Sequence, residues 1–175
     1  MTRPYRLVLP MLVLMLVGCA STPPTQRGWQ PYPAAAGEAA GIPSADVPSR
    51  LTPEQAGDVT LYAVGLVGTP YRYGGNTPES GFDCSGLIAY VYRSRAGVVP
   101  PRTVSQLQFW GTPVAGEAIR SGDVVLFAQR DTVTHAGIYV GDGRFVHAPS
   151  TGGEVRLASL KARYWASQQV FFRRP

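Results

Sequence analysis

One of the two cysteines of this chain lies in a setting that favours nucleophilic catalysis. Cys84 is part of Asp83-Cys84-Ser85-Gly86, at the predicted start of a helix. The free N–H groups and the dipole at a helix N-terminus stabilise negative charge, so this position favours the reactive thiolate. A buried structural cysteine is the alternative. The polar neighbours Asp83 and Ser85, and the glycine-rich loop before them, favour a nucleophile.

A nucleophilic cysteine needs a base, and the chain has only two histidines, His135 and His147. Both lie on predicted strands downstream of Cys84, where a histidine is often a structural residue. The small residues Ala136 and Gly137 after His135 would let a helix end approach closely. We therefore expect His135 to be the base. A Cys/His site also needs a third polar group to hold the other ring nitrogen of the base, and His147 is the candidate.

The register of the two predicted strands decides whether the histidines can meet. With a plain two-residue turn at Asp142-Gly143, His147 would face Ile138. His147 would then point to the opposite side of the sheet from His135, because side chains alternate along a strand. That geometry would separate the two rings.

The alternative is a three-residue loop in which Gly143 takes the left-handed position. Val140 then pairs with Arg144, and His147 faces Gly137. Both imidazoles share one face of the sheet as diagonal neighbours in this arrangement. We predict this second register.

The surrounding pattern predicts helices first and strands afterwards. Capping signals at Thr52-Pro53-Glu54-Gln55 and at Thr103-Val104-Ser105-Gln106 open two of the helices, and Asp83 can cap the helix that carries Cys84. The helices are predicted from Thr52 to Gly68, from Cys84 to Gly97 and from Thr103 to about Phe109. Period-two patterns predict strands at 124–128, 135–140, 144–148, 155–157 and 170–172. This order is an α+β arrangement with an antiparallel sheet.

The first fifty residues predict a targeting signal followed by a flexible tether. Two arginines precede an apolar run from Leu7 to Val17 that is too short to span a bilayer as a mature helix, so a signal peptide over 1–18 is favoured over a transmembrane anchor. Leu16-Val17-Gly18-Cys19 resembles the bacterial lipobox, which implies lipidation of Cys19. An alanine after the lipidated cysteine, here Ala20, resembles the pattern of outer-membrane lipoproteins. The resemblance implies an outer-membrane location with the domain facing the periplasm. Residues 19–50, rich in Pro and Ala, predict a flexible tether.

Length and charge limit what the rest can be. The 175 residues leave room for one domain, which we place at 51–175 and expect to be a monomer. Without the two arginines of the signal segment, the 16 basic residues fall to 14 against 11 acidic ones. This mild excess suits an anionic polymer or membrane surface. A nucleic-acid partner is not expected, since no dense basic patch or matching motif is present.

Six motifs occur in one order from about Leu61 to the C-terminus. Together they resemble the NlpC/P60 family of cell-wall cysteine peptidases. The motifs are Tyr71-Arg72-Tyr73-Gly74-Gly75, Phe82-Asp83-Cys84-Ser85-Gly86-Leu87, Pro101-Arg102-Thr103 with Gln106, Gly122-Asp123-Val124-Val125-Leu126-Phe127, His135-Ala136-Gly137-Ile138-Tyr139-Val140-Gly141 and Phe145-Val146-His147-Ala148.

The resemblance implies a papain-like α+β fold and hydrolysis of peptide bonds in peptidoglycan stem peptides, without a cofactor or metal. It implies that Cys84 is the nucleophile, His135 the general base and His147 the orienting residue. By the same resemblance, Tyr71, Asp83 and Ser85 contact substrate or line the cleft. The outer-membrane subgroup that the chain most resembles cuts stem peptides or crosslinks at diaminopimelate.

Two other functions stay open from the residues alone. The chain could be a wall-binding lipoprotein that keeps the fold without turnover, or an amidase or acyltransferase that uses the same Cys84. The role of Arg102, Thr103 and Gln106 is also open, because they could line the substrate groove or only cap a short helix.

Overall fold

The computed structural model describes residues 49–175 of the chain. The predicted signal segment, the lipidation site Cys19 and nearly all of the predicted tether lie outside the described residues and stay predictions. Within residues 49–175, no helix combines the length and apolar character needed to cross a bilayer. At the start of the described chain, the Ser49 hydroxyl and the Arg50 N–H donate to the carbonyl of Pro175, at 2.8 and 2.7 Å.

Helix α1 (Pro53–Gly65) begins with the predicted capping box. The Thr52 hydroxyl accepts from the Gln55 N–H at 3.2 Å, and the Gln55 side chain accepts from the Thr52 N–H at 2.9 Å. These two bonds satisfy N–H groups that a helix start leaves unpaired. The capping signal in the sequence therefore located this helix correctly.

Two very short strands, β1 (Asn76–Thr77) and β2 (Gly81–Phe82), precede helix α2 (Cys84–Ala96). Asp83 caps α2 as predicted, since its carboxylate accepts from the Gly86 N–H at 2.7 Å. The helix ends at Gly97, whose φ of 66° is a left-handed conformation that glycine adopts without strain. Both ends of α2 follow from the sequence.

The third helix, α3 (Val104–Leu107), is shorter than predicted and lacks the predicted capping box. The Thr103 hydroxyl donates to the side-chain oxygen of Gln106 at 3.0 Å and makes no cap bond to the backbone. The chain then turns, and Phe109 N–H donates to the Gln106 carbonyl at 3.1 Å. The capping prediction was wrong here because the two side chains bond to each other.

A six-stranded antiparallel sheet follows, in the order β3-β8-β4-β5-β6-β7. Five of its strands were predicted, four of them too short and β6 one residue too long; β3, the 3-10 helix before β4 and the short helix α4 were not predicted. These elements are β3 (Thr112–Val114), the 3-10 helix (Gly116–Ala118), β4 (Val124–Gln129), β5 (Thr132–Gly141), β6 (Arg144–His147), β7 (Arg156–Ser159), α4 (Arg163–Ala166) and β8 (Gln169–Arg174). The predicted α+β class is confirmed.

The sheet has a hydrophobic cluster on each face. Along β4, Val124, Leu126 and Ala128 pack in the cluster that contains α1 and α2 residues, whereas Val125 and Phe127 pack in a second cluster that includes Trp165 of α4. Successive side chains of a strand point to opposite faces, so β4 is apolar on both. The sheet is therefore a middle layer, with the two long helices on one side.

The hairpin of β5 and β6 reaches the predicted arrangement by a different turn. Asp142 and Gly143, with φ of 51° and 67°, form a two-residue turn between Gly141 and Arg144. A bulge at Val140 then shifts the register, so the predicted pairing of Val140 with Arg144 was wrong.

The pairing beyond this bulge is the predicted one. Ile138 pairs with Val146 and Tyr139 with Phe145. His147 consequently lies opposite Gly137, where an added Cβ would stand 3.3 Å from the Cβ of His147. The two histidines therefore share one face of the sheet.

Candidate active site

Cys84 lies at the first position of α2, half-buried, with a free thiol. Backbone N–H groups of Ser85, Ala136 and Cys84 itself act on its sulfur and lower the pKa of the thiol, but burial and the nearby Asp83 carboxylate outweigh them. The net effect is a pKa raised above the ordinary value. The helix start lowers the pKa of the thiol as expected, but partial burial and Asp83 raise it by more. A base must remove this proton.

The N–H of Ala136 joins the helix tip to the sheet. Tyr139 donates its N–H to Asp123 on the β4 side, at 2.8 Å, so by alternation Ala136 directs its N–H to the β6 side. Strand β6 ends at His147, one residue before it would pair with Ala136. This N–H instead acts on the Cys84 sulfur and lowers the pKa of the thiol. This contact places the thiol beside the residue that follows His135.

Gly137 acts differently from the prediction. A Cβ at Gly137 would lie 2.8 Å from the Phe145 ring and 3.3 Å from the Cβ of His147. Its lack of a side chain therefore makes room for β6 side chains, whereas Ala136, in the cluster shared with α2, faces the helix. Only Ala136 serves the helix approach that the sequence suggested.

The two histidines are joined directly. His135 Nε2 and His147 Nδ1 are 2.8 Å apart, and the two rings are nearly perpendicular, at 86°. His147 is fully buried and His135 is partly exposed. The Nε2 of His135 is thus occupied, which leaves its Nδ1 as the ring nitrogen that can accept a proton.

Both histidines are neutral at neutral pH. Burial, followed by the positive charge of Arg156, lowers the pKa of His135 to about 4. Burial, then His135 and Arg156, lowers the pKa of His147 to about 3. A neutral imidazole is the form that can accept a proton.

Asp83 is held by a bidentate ion pair with Arg102. The guanidinium donates to the two carboxylate oxygens at 2.7 and 2.9 Å and to the Ser85 hydroxyl at 2.7 Å. The Gly74 N–H donates to the same carboxylate at 3.0 Å. Burial alone would raise the pKa of Asp83, but the bonds from Arg102 and Gly86 hold it below its ordinary value.

This network separates the three residues whose role the sequence left open. Arg102 faces Asp83 and Ser85 next to the nucleophile, whereas Thr103 and Gln106 bond to each other at the exposed surface. Tyr71 is half-buried near Cys84, and burial, then the charges of Cys84 and Asp83, raise its pKa. All six predicted site residues within 49–175 thus lie in one region.

Sequence reasoning missed Trp165. Its ring lies 5.4 Å from that of His135 and 5.0 Å from that of His147, measured between centroids. It follows Tyr164 in a four-residue helix without a periodic pattern, so no local signal pointed to it. Only the pairing of β7 and β8 into the sheet brings α4 to the histidines.

Comparison with known proteins adds a family and several relatives. Residues 68–174 match the model of the NlpC/P60 family. The murein DD-endopeptidase MepH of Escherichia coli is 39% identical over 112 residues, which is 62% of this chain and 41% of MepH. The gamma-DL-glutamyl hydrolase of Bacillus subtilis is 43% identical over 110 residues, or 62% of this chain and 26% of that protein. The chain therefore spans less than half the length of these curated relatives.

Solved structures give the same picture of the fold. The NlpC/p60 domain of the peptidoglycan hydrolase SagA superposes with a TM-score of 0.59 at 28% identity, over 66% of this chain and 96% of that one. An NlpC/P60 family protein from Bacillus cereus gives a TM-score of 0.63 at 29% identity, over 75% of this chain and 42% of that one.

Proposed function

The chain belongs to the NlpC/P60 family, and from that premise we propose that it is a peptidoglycan hydrolase, a thiol peptidase that cuts peptide bonds in wall stem peptides. The observation that carries the proposal is the junction of α2 with β5, where the N–H of the residue after His135 lowers the pKa of the Cys84 thiol and His135 Nε2 lies 2.8 Å from His147 Nδ1. The names of relatives, a murein endopeptidase and a peptidoglycan hydrolase, support the substrate class.

In the proposed mechanism, His135 acts as the base. Its Nδ1 takes the thiol proton of Cys84, and the sulfur adds to the carbonyl carbon of the scissile bond. The oxygen of that carbonyl becomes negative, and the backbone N–H of Cys84 at the helix start helps to stabilise it. His147 holds the other nitrogen of His135 during the transfer.

Two further proton transfers complete the cycle. The imidazolium of His135 gives its proton to the leaving amine as the carbon–nitrogen bond breaks, which leaves a thioester on Cys84. His135 then takes a proton from water, and the hydroxide adds to the thioester carbon. The carbon–sulfur bond breaks, the new carboxylic acid is released, and the proton on His135 returns to the sulfur to restore the thiol. The raised pKa of Cys84 and the lowered pKa of His135 favour a neutral resting pair, in which proton transfer accompanies attack.

The network around Asp83 forms the proposed wall of the substrate cleft. Arg102 and Ser85 present polar groups next to Cys84, and Tyr71 lies on the same side of the helix start. We assign substrate contacts to Tyr71 and Ser85. Asp83, whose oxygens already accept from Gly74, Ser85, Gly86 and Arg102, acts mainly by fixing Arg102.

The proposed bond is one at diaminopimelate, in a stem peptide or a crosslink. The names of MepH and of the gamma-DL-glutamyl hydrolase denote different bonds. Identification of the reaction products therefore decides which bond this chain cuts. The proposed location is the outer membrane, with lipid on Cys19 and the domain in the periplasm.

A single substitution tests the proposal. Cys84→Ala in the full chain should abolish release of soluble fragments from purified peptidoglycan, because the sulfur that forms the thioester is gone. Chromatography of the fragments, with mass spectrometry, gives both the rate and the bond cut. Cys19→Ala, which removes the only other cysteine, is the matched control and should retain the rate.

Three outcomes would contradict the proposal. Undiminished release by Cys84→Ala would remove the thiol mechanism, and no release by the unsubstituted chain would favour a wall-binding protein without turnover. Fragments cut at an amide outside the stem peptide would favour an amidase.

A further inference from the structure

A tryptophan outside the proposed catalytic set touches both histidines. The Trp165 ring stacks on His135, with planes 24° apart, and meets His147 at 87°. Trp165 is 9% exposed, and Phe127 packs against it with centroids 4.3 Å apart. One well-anchored side chain thus fixes the planes of both imidazoles.

His147 has a ring nitrogen without a polar partner. Its Nδ1 bonds to His135, whereas its Nε2 is buried and makes no hydrogen bond to any part of the described chain. The rings of Phe145 and Trp165 lie 4.9 and 5.0 Å from the His147 ring. An aromatic face is negative, so it accepts an N–H and repels a lone pair. These surroundings favour a proton on Nε2 of His147.

The position of that proton decides which nitrogen of His135 is basic. A neutral His147 with its proton on Nε2 has a bare Nδ1, which accepts from the Nε2–H of His135. Neutral His135 then has its lone pair on Nδ1. In the opposite tautomer, His147 donates from Nδ1, His135 carries its own proton on Nδ1, and it cannot take a proton from Cys84.

We infer that Trp165 is a positioning residue that, with Phe145, holds His147 as the Nε2–H tautomer and thereby makes Nδ1 of His135 the base. This inference rests on the proposed roles of Cys84 and His135. The stacked face of Trp165 also stabilises the imidazolium that His135 becomes, because a cation is attracted to an indole face. Because the pKa of His147 is lowered to about 3, its imidazole is neutral near neutral pH and exists as one tautomer or the other.

Nitrogen NMR measures the tautomers directly. The full chain, labelled with ¹⁵N-histidine, gives signals from only two imidazoles, which His147→Gln assigns by removing one set. We expect the Nε2 of His147 to be protonated and its Nδ1 bare, with the same pattern for neutral His135. A His147 protonated on Nδ1 in the unsubstituted chain would overturn the inference and the assignment of Nδ1 of His135 as the base, whereas fragment release that depends on Cys84 would still support the proposed hydrolase.

Substitutions of Trp165 test its part. The wrong tautomer costs a serine-protease triad about 10⁴ in kcat, so we expect Trp165→Leu to mix the tautomers and lower kcat at least about tenfold, with KM little changed. Trp165→Phe keeps an aromatic face and should restore most of the rate. A Trp165→Leu variant with unchanged tautomers and kcat would overturn the inference.

The control separates packing from positioning. Phe172 packs against the same cluster, and its ring contacts that of Tyr139. Phe172→Leu also removes an aromatic ring from this face of the sheet but should leave tautomers and kcat unchanged. If Phe172→Leu changed both as much as Trp165→Leu does, general loosening of the cluster would explain the effect and the inference would fail. Loss of activity in Cys84→Ala is read separately, since that variant tests the nucleophile and not the tautomer.

Discussion

At the Cys84 sulfur, burial and backbone N–H groups act in opposite directions. Burial and the Asp83 carboxylate raise the pKa of the thiol by more than the N–H groups lower it. At His135, burial lowers the pKa of the imidazole. Both shifts disfavour a separated ion pair in the resting site. The reactivity of Cys84 therefore depends on its base, and the base depends on its charged and aromatic neighbours.

Arg156 is the charged neighbour that can be tested. Arg156 is exposed and lies opposite His147 in the register of β7 against β6. Its positive charge contributes to the lowered pKa of both histidines. Arg156→Gln removes that charge, so the pKa of His135 should rise toward its ordinary value. Because His135 must be neutral to act as a base, the acid limb of the kcat/KM profile should move to higher pH.

The control for this prediction is Arg144→Gln, an exposed arginine on β6 that pairs with Asp142. It should leave the acid limb in place. Added salt should shrink the difference between the unsubstituted chain and Arg156→Gln, since exposed charges are screened. A limb that moves to lower pH in Arg156→Gln would contradict the assignment.

The glycine-rich loop before α2 and the first turn of α2 meet without side chains between them. A Cβ on Gly86 would stand 2.0 Å from the carbonyl oxygen of Gly75 and 3.1 Å from a carboxylate oxygen of Asp83. The Asp83 N–H donates to the same Gly75 carbonyl at 3.1 Å. The glycine-rich loop and the helix tip are thereby locked together, and Arg102 is held between them.

Gly86→Ala should separate this loop from α2. The clash is with backbone, which cannot rotate away, so we expect a loss of about 1–3 kcal/mol in the free energy of unfolding and a drop in kcat. Denaturant titration measures the first and peptidoglycan digestion the second.

The matched control is Gly57→Ala in α1, where nothing lies within 4 Å of the added methyl. Alanine should stabilise this helix by up to about 1 kcal/mol and leave kcat unchanged. Equal stabilisation of both variants would refute the close approach at Gly86.

Over the whole described molecule, the sheet separates two packed faces. The long helices bring Cys84 to one side, and α4 brings Trp165 to the other. A buried ion pair ties the last strand to the residue just before β4, with Arg174 donating to both oxygens of Asp123 at 3.0 and 2.9 Å. The site forms on β5, where Ala136 packs with the helices and His135 stacks on Trp165.

At the same scale, Cys19 is predicted to join the domain to a membrane. Cells that express the full chain and are fed an alkyne analogue of palmitate should label the protein and retain it in the membrane fraction. Cys19→Ser should lose the label and leave the membrane fraction, because no acyl chain is attached. Cys84→Ala should keep both, and a label that follows Cys84 instead would contradict the proposed anchor.

The sequence by itself predicted the two long helices, five strands of the large sheet and the candidate site residues other than Trp165. Capping signals placed α1 and α2 within a residue or two of their observed starts, because side-chain bonds to neighbouring backbone are local. Period-two patterns placed five strands, since alternation follows from strand geometry. The ordered motifs, through a family resemblance, picked out Cys84, His135 and His147.

Only the tertiary structure decided how these residues act. The bulge at Val140, the raised pKa of Cys84 and the contact of Trp165 with both histidines each depend on residues far apart in the chain. Burial and cross-strand pairing set these properties, and neither is encoded in a local pattern.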